Sequence, residues 1–206
     1  MPDQFSPIAA DRLVDYLADR VVAVPGRAVI AVDGADAADP MVVADAVADA
    51  TRARGRECVV VSLHDYVRPA SQRLEFGRTD EMSYRTLWFD YDALAREVVD
   101  SFRSDGSWLP ALWNERLDRS ARSGVRTAGP NSTVIVAGPM LLGRGVAFDV
   151  AVRLQLSSGA LQRNTAPDRL WTVPALLQHE RETDAEDAIV VRWDHRDRPA
   201  IAADVR

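Results

Sequence analysis

Residues 33–41 read DGADAADPM, following the apolar run 28–32 and preceding an Ala/Val-rich segment. A strand, a glycine-bearing turn and a helix in that order form the outline of a phosphate-binding loop. The pattern G-x-x-x-x-G-K-[ST], laid on Gly34, puts Asp39 at the second glycine, Pro40 at the lysine and Met41 at the hydroxyl residue. Pro40 offers neither an ammonium nor an N–H, and Met41 cannot ligate Mg²⁺, which prefers hard oxygens. Asp36 and Asp39 add negative charge where a triphosphate would lie. Two like charges ~5 Å apart at an effective dielectric of ~20 repel by roughly 3 kcal/mol, on the order of a hundredfold in affinity. Asp39-Pro40 is also a good helix start by itself, Asp as N-cap and Pro at the first helical position. An ordinary strand-to-helix turn is the simpler reading.

Other side chains could do chemistry further along. His64 and Asp65 follow the apolar run 57–63 and are the candidate catalytic groups. Asp33 reads as an acceptor for turn amides. No lysine occurs anywhere: all 25 basic residues are arginine, so no lysine of this chain can reach a bound phosphate. Cys58 lies in an apolar strand and reads as a small core hydrophobe. His64, His179 and His195 show no metal-ligand spacing, so no metal is expected.

These residues need elements to position them. Apolar residues recur helically over 6–23, with Ser6-Pro7 as cap and first turn. Pro25-Gly26 leads into a strand at 27–33, a helix at 40–54 and a strand at 57–63. A polar loop covers 64–82, and a helix over 92–102 places Leu94, Val98 and Phe102 on one side. Residues 107–131 are irregular, with room for a hairpin. Strands follow at 132–138 and 148–156, then a polar segment at 157–168, a helix near 174–181 and a last strand at 187–194. Apolar strands alternating with helices predict a parallel sheet covered on both faces, with ligands beyond the strands' carboxyl ends. The 206 residues suit one α/β domain. The net charge of −6 argues against nucleic-acid binding. No signal peptide or bilayer-length apolar stretch is evident, which leads to the expectation of a cytoplasmic protein without membrane contact.

In their order, these segments resemble the uridine-kinase-like family of P-loop nucleoside kinases, from about residue 25 to 201. VPGRAVIAVDGADAADP stands where that family has its phosphate loop, and VVVSLHDYVRP looks like its second strand and acidic loop. RLEFGR with FDYDAL is similar to the elements before its nucleoside-side helix. STVIVAGPMLL parallels a strand that normally ends in an acidic residue. FDVAVRLQLSSGALQRNTAPD resembles the strand and arginine-bearing lid, and DAIVVRWDHRDRPAI the final strand. The resemblance implies a three-layer α/β/α sandwich with a parallel sheet, a P-loop NTPase fold, over a single domain 1–206. An N-terminal helix falls in 1–24 and a lid-like segment in 157–170. It further implies nucleoside-side roles for Arg73, Asp90 and Tyr84, and lid roles for Arg163 and Arg169.

The departures cluster at the chemical positions: Gly34 keeps its place, but Asp36, Asp39, Pro40 and Met41 degrade the loop. His64 stands at the usual catalytic aspartate, Ala137 at the acidic strand end, and Pro167 at a second lid arginine. The expectation is a degenerate kinase with impaired ATP binding that keeps a nucleoside or small-ligand pocket, without cofactor; a homo-oligomer is compatible with it. Two alternatives stand beside it. One is an active, divergent ATP- and Mg-dependent nucleoside kinase holding phosphates with arginines such as Arg144 or Arg163. The other is a non-catalytic protein-interaction module.

Overall fold

The computed structural model describes residues 5–184 and 187–202, so the first four residues of the expected N-terminal segment lie outside it. Strands are β1 (Phe5–Pro7), β2 (Ala28–Asp33), β3 (Glu57–Ser62), β4 (Ser107–Trp108), β5 (Trp113–Asn114), β6 (Arg119–Ser120), β7 (Arg126–Thr127), β8 (Ser132–Gly138), β9 (Val150–Gln155), β10 (Ile189–Arg192) and β11 (Ala200–Ala202). Helices are α1 (Ala10–Val22), α2 (Pro40–Ala53), α3 (Ala70–Arg73), α4 (Glu81–Thr86), α5 (Tyr91–Leu94), α6 (Ser101–Asp105), α7 (Ser158–Asn164) and α8 (Val173–Glu182).

Burial explains the sheet. β2 and β8 are buried at every position, which requires helices on both faces. The main sheet runs β1-β11-β10-β9-β2-β8-β3, with β10, β9, β2, β8 and β3 parallel neighbour to neighbour. Leu13, Leu17 and Val21 of α1, Val43 and Val47 of α2 and Leu161 of α7 pack with Ile30, Val32 and Ile135 on one face. Tyr66, Tyr84, Phe89, Leu94, Val98 and Phe102 pack with Val29, Ala31, Val134 and Val136 on the other. The result is the three-layer α/β/α sandwich. The helix expected over 92–102 runs from α5 to α6 through a π-helical turn, Ala95–Asp100, and buries Leu94, Val98 and Phe102 as its spacing required.

Two local expectations are corrected. Ser6 and Pro7 do not start a helix; they form edge strand β1, with Ser6 opposite Ile201 and Pro7 opposite Ala200. An edge strand tolerates a proline, which lacks a ladder donor. Helix α1 begins at Ala10 without a side-chain cap. The sheet is also not wholly parallel, because β11 and β1 extend it antiparallel. Residues 107–131 supply two short pairings, β4 with β7 and β5 with β6.

Parallel register brings the strand ends together: Asp33 lies opposite Gly138, and Ala137 opposite both Val32 and Ser62. Gly138 is required there by close approach, since a Cβ on it would sit 2.5 Å from Leu63 Cβ. Gly138→Ala is expected to cost about 2–3 kcal/mol through overpacking, seen as a lower urea midpoint at unchanged m value. An unchanged midpoint would mean that the turn after β3 yields freely. No helix among the described residues is long and apolar enough to cross a membrane.

Candidate functional site

The loop after β2 turns inward on itself. Residues Asp36–Ala38 form a 3₁₀ turn, in which the Ala38 amide donates to Ala35 O (2.8 Å) and the Asp39 amide to Asp36 O (3.0 Å). The Val42 amide donates to Asp39 O at 3.0 Å. Three amides of a segment that would face an anion in a phosphate loop are therefore engaged with the loop's own carbonyls. Pro40 is the first residue of α2, as its fixed φ favours. Asp39 precedes it but is not a side-chain cap: it has φ 47° and ψ 60°, and no capping hydrogen bond. Its carboxylate pairs with Arg196 instead. A capping residue typically has an extended backbone, which this left-handed residue lacks and which sequence spacing does not reveal. Gly34 donates to Gly138 O at 3.1 Å and lies against Leu154, whose Cβ would be 3.0 Å from a Cβ on this glycine. Met41 is partly buried against the core.

Asp33 is buried and accepts from the Leu141 amide at 2.8 Å, with Arg153 Nε 3.5 Å from its other oxygen. Burial raises its pKa against the pull of Arg153.

At the end of β3 a 3₁₀ turn, Leu63–Tyr66, presents His64. Its Nε2 lies 2.8 Å from Asp36 Oδ1 and its Nδ1 3.1 Å from Glu115 Oε2. Burial disfavours the imidazolium, but hydrogen bonds and charge from the two carboxylates outweigh it and push the pKa up to about 10. His64 is thus a cation at neutral pH and donates to both. Burial would raise the Asp36 and Glu115 pKa values; pairing with His64 outweighs it and holds both below their ordinary values. Phe89 meets the imidazole edge-on, with centroids 5.4 Å apart. Asp65 is half-buried, which raises its pKa despite His64 beside it, and its main-chain oxygen accepts from Leu112.

Glu115 carries the network onward. Its Oε1 accepts from Arg73 Nη1 (3.2 Å) and Trp88 Nε1 (3.2 Å). Arg73 is 5% exposed; it donates from Nε to Arg68 O at 2.6 Å and stacks over Trp88 at 4.8 Å. Asp36, His64, Glu115 and Arg73 alternate in sign from the loop after β2 to the end of α3. Asp90 stands apart as a cap, accepting from Ala93 N at 3.0 Å while its own amide donates to Tyr66 O at 2.7 Å. Arg73 and Asp90 therefore lie on the same face of the sheet, each bonded within the protein. Glu115 had no signal in the sequence beyond being an acid in an irregular stretch, because its partners lie 51 and 42 residues away.

A cavity of about 170 Å³ opens beside this chain of charges, lined by Asp36, Ala37, Tyr84, Asn164, Thr165 and Arg169 among others. Tyr84 is 1% exposed and contacts Trp88 and Trp171 edge-to-face. Burial raises its phenol pKa, so the hydroxyl keeps its proton. The Arg169 guanidinium lies 5.9, 5.8 and 5.6 Å from the Tyr84, Trp88 and Trp171 rings. Each such contact is worth about 0.5–1 kcal/mol in a half-exposed setting. Arg163 is exposed at the end of α7, with Nη1 3.2 Å from the position of a Cβ on Gly159. Arg144 donates to Arg85 O and Met140 O and lies over Tyr91. A wider open groove of about 700 Å³ between α4 and α8 is lined by Thr79, Asp80, Arg85, Pro174, Gln178 and others, none of them sequence candidates. Among the described residues no three His, Cys, Asp or Glu side chains are grouped to hold a metal ion.

No protein-family model matches the chain, and no curated protein matches it by sequence. Solved structures do. A possible uridine kinase from Bacillus stearothermophilus superposes with a TM-score of 0.67 at 18% identity, over 85% of this chain and 96% of that one. A candidate fructose transport system kinase from Silicibacter sp. TM1040 gives 0.69 at 18% identity, over 88% and 98%. The D-glycerate 3-kinase of Cryptococcus neoformans gives 0.55 at 12% identity, over 89% and 94%. With its strand order and layers, this likeness shows that the chain has the uridine-kinase-like fold of the P-loop kinases.

Proposed function

We propose that this chain is a kinase-fold protein that has given up phosphoryl transfer and keeps a small-ligand cleft between the loop after β2 and the segment 157–170. The observation that carries the reading is the Asp36–His64–Glu115 bridge. Phosphoryl transfer by such folds uses a loop open to phosphates and an acidic residue near the attacking hydroxyl. Here the residue at the acidic position is an imidazolium with a pKa near 10, bonded on both sides. A general base works best with a pKa near the operating pH and an unoccupied lone pair; this one has neither.

The donor set does not fit Mg-ATP. Ala38 and Asp39 amides are engaged, Pro40 has none, Met41 offers a thioether, and Ala137 is a buried methyl at a strand end. The arginine-based alternative is weakened by Arg144, which is tied to two main-chain carbonyls. The nucleoside-side candidates Arg73 and Asp90 answer to Glu115 and Ala93. The cavity of about 170 Å³ also falls below the ~300–1,000 Å³ of drug-sized sites, which favours a ligand smaller than a nucleoside. A cytoplasmic location belongs to the same proposal.

Calorimetric titration tests it. The chain should give no binding heat with millimolar Mg-ATP or uridine and no ADP on prolonged incubation with both. Micromolar Mg-ATP affinity would overturn the proposal and favour an arginine-based active site.

A further inference from the structure

The cleft's chemistry narrows the ligand class, and this step rests on the small-ligand reading above. Tyr84 and Arg169 both line the cleft. Among the described residues the Arg169 guanidinium makes no ion pair; it lies 5.6–5.9 Å from three ring centroids, and its charge is felt by Asp36 in the same cavity. The rings hold the planar fork in place without neutralising it, leaving its donors for a planar anion. The Tyr84 hydroxyl, still protonated, adds a neutral donor.

Asp36 supplies the opposite requirement. It lines the same cavity and its side chain is 49% exposed, but one oxygen is already bonded to the His64 imidazolium at 2.8 Å. What remains is a carboxylate with one oxygen free to accept and the other already tied to a cation. A ligand's hydroxyl suits that acceptor. An ammonium would meet the imidazolium as well as the carboxylate, and a doubly charged phosphate would double the repulsion from Asp36 relative to a monoanion. We propose that the Asp36–Tyr84–Arg169 cleft binds a small α-hydroxy carboxylate, with its carboxylate on Arg169 and its hydroxyl donating to Asp36.

Lactate, alanine and propionate differ only in the group on the α carbon, so the three form a matched test by calorimetry on the full chain. Lactate should bind at least tenfold more tightly than propionate or alanine, and more tightly than inorganic phosphate. Arg169→Gln should weaken lactate at least tenfold, whereas Arg12→Gln, a change on the exposed face of α1, should leave it unchanged. Asp36→Asn should reduce the lactate-over-propionate preference to less than threefold. Each variant's fold is checked by its thermal midpoint. Equal lactate binding by wild type and folded Arg169→Gln, or a preference for alanine, propionate or phosphate, would overturn the assignment. So would the absence of lactate binding. None of these results would restore Mg-ATP or uridine binding, so failure here is distinguishable from failure of the non-catalytic reading.

Discussion

Between pH 6.5 and pH 10 the wild-type chain should lose about 2–3 kcal/mol of stability that a His64→Gln variant does not lose. His64 has a folded pKa near 10 against an ordinary value of 6.5. Because the folded value is raised, the stabilisation is fully present below 6.5 and shrinks as pH climbs through the folded pKa. At ~1.36 kcal/mol per pH unit the full difference approaches ~5 kcal/mol. Asp36 is half in water, and solvent screening cuts that figure roughly in half. Glutamine keeps a hydrogen-bonding side chain at position 64 and removes the titration. With an m value of ~2 kcal/mol/M, the wild-type urea midpoint should fall about 1 M relative to the variant across this range. Parallel midpoint curves would mean that His64 is neutral in the folded chain and that the bridge is not an ion pair. On the acid side the sign reverses. Asp36 and Glu115 are held below their ordinary values of 3.8 and 4.5, so their contribution is present above those values and lost as pH falls through the lowered ones.

How much of this was legible in the sequence depends on the range of the interaction concerned. The buried strands Ala28–Asp33 and Ser132–Gly138 and the helix start at Pro40 are local, set by apolar runs and a fixed φ. The order of those elements was enough for the fold. Ser6-Pro7 misled because a good capping pair is also an acceptable edge strand, and the choice was made by residues 200–202, far along the chain. Asp39 misled because capping needs an extended backbone and this residue is left-handed. His64 and Asp36 were each visible as anomalies, one in place of an acid and one in place of a neutral loop residue. That the two anomalies answer each other was not visible, and Glu115 joins them from a stretch without periodicity. Arg169 read as a lid residue or a solvated charge. Its platform of Tyr84, Trp88 and Trp171 is assembled by the packing of α4 against the segment after α7.

The combined change Asp39→Gly, Pro40→Lys and Met41→Ser should create Mg-ATP binding where the wild-type chain has none, with a Kd in the millimolar range. Glycine at 39 removes a negative charge and suits the φ of 47° already present. Its lost pair with Arg196 is exposed, worth ~1 kcal/mol or less. Lysine at 40 restores both an ammonium and an amide at the helix start, and serine at 41 a hard oxygen for Mg²⁺. Single repairs should restore almost nothing, because parts that act on one ligand are strongly non-additive. Affinity should stay weak for a reason specific to this structure. Asp36 anchors the loop to His64 while Ala38 and Asp39 amides are turned onto Ala35 and Asp36 carbonyls. Adding Asp36→Gly removes both the anchor and a second negative charge, and should tighten Mg-ATP binding at least tenfold further, ~1.4 kcal/mol. Turnover should remain negligible in both, since His64 and Ala137 are untouched. Titration calorimetry of the wild type, the triple and the quadruple variants decides it. If the folded quadruple variant binds no better than the triple, the Asp36–His64 bridge is not what keeps the loop closed.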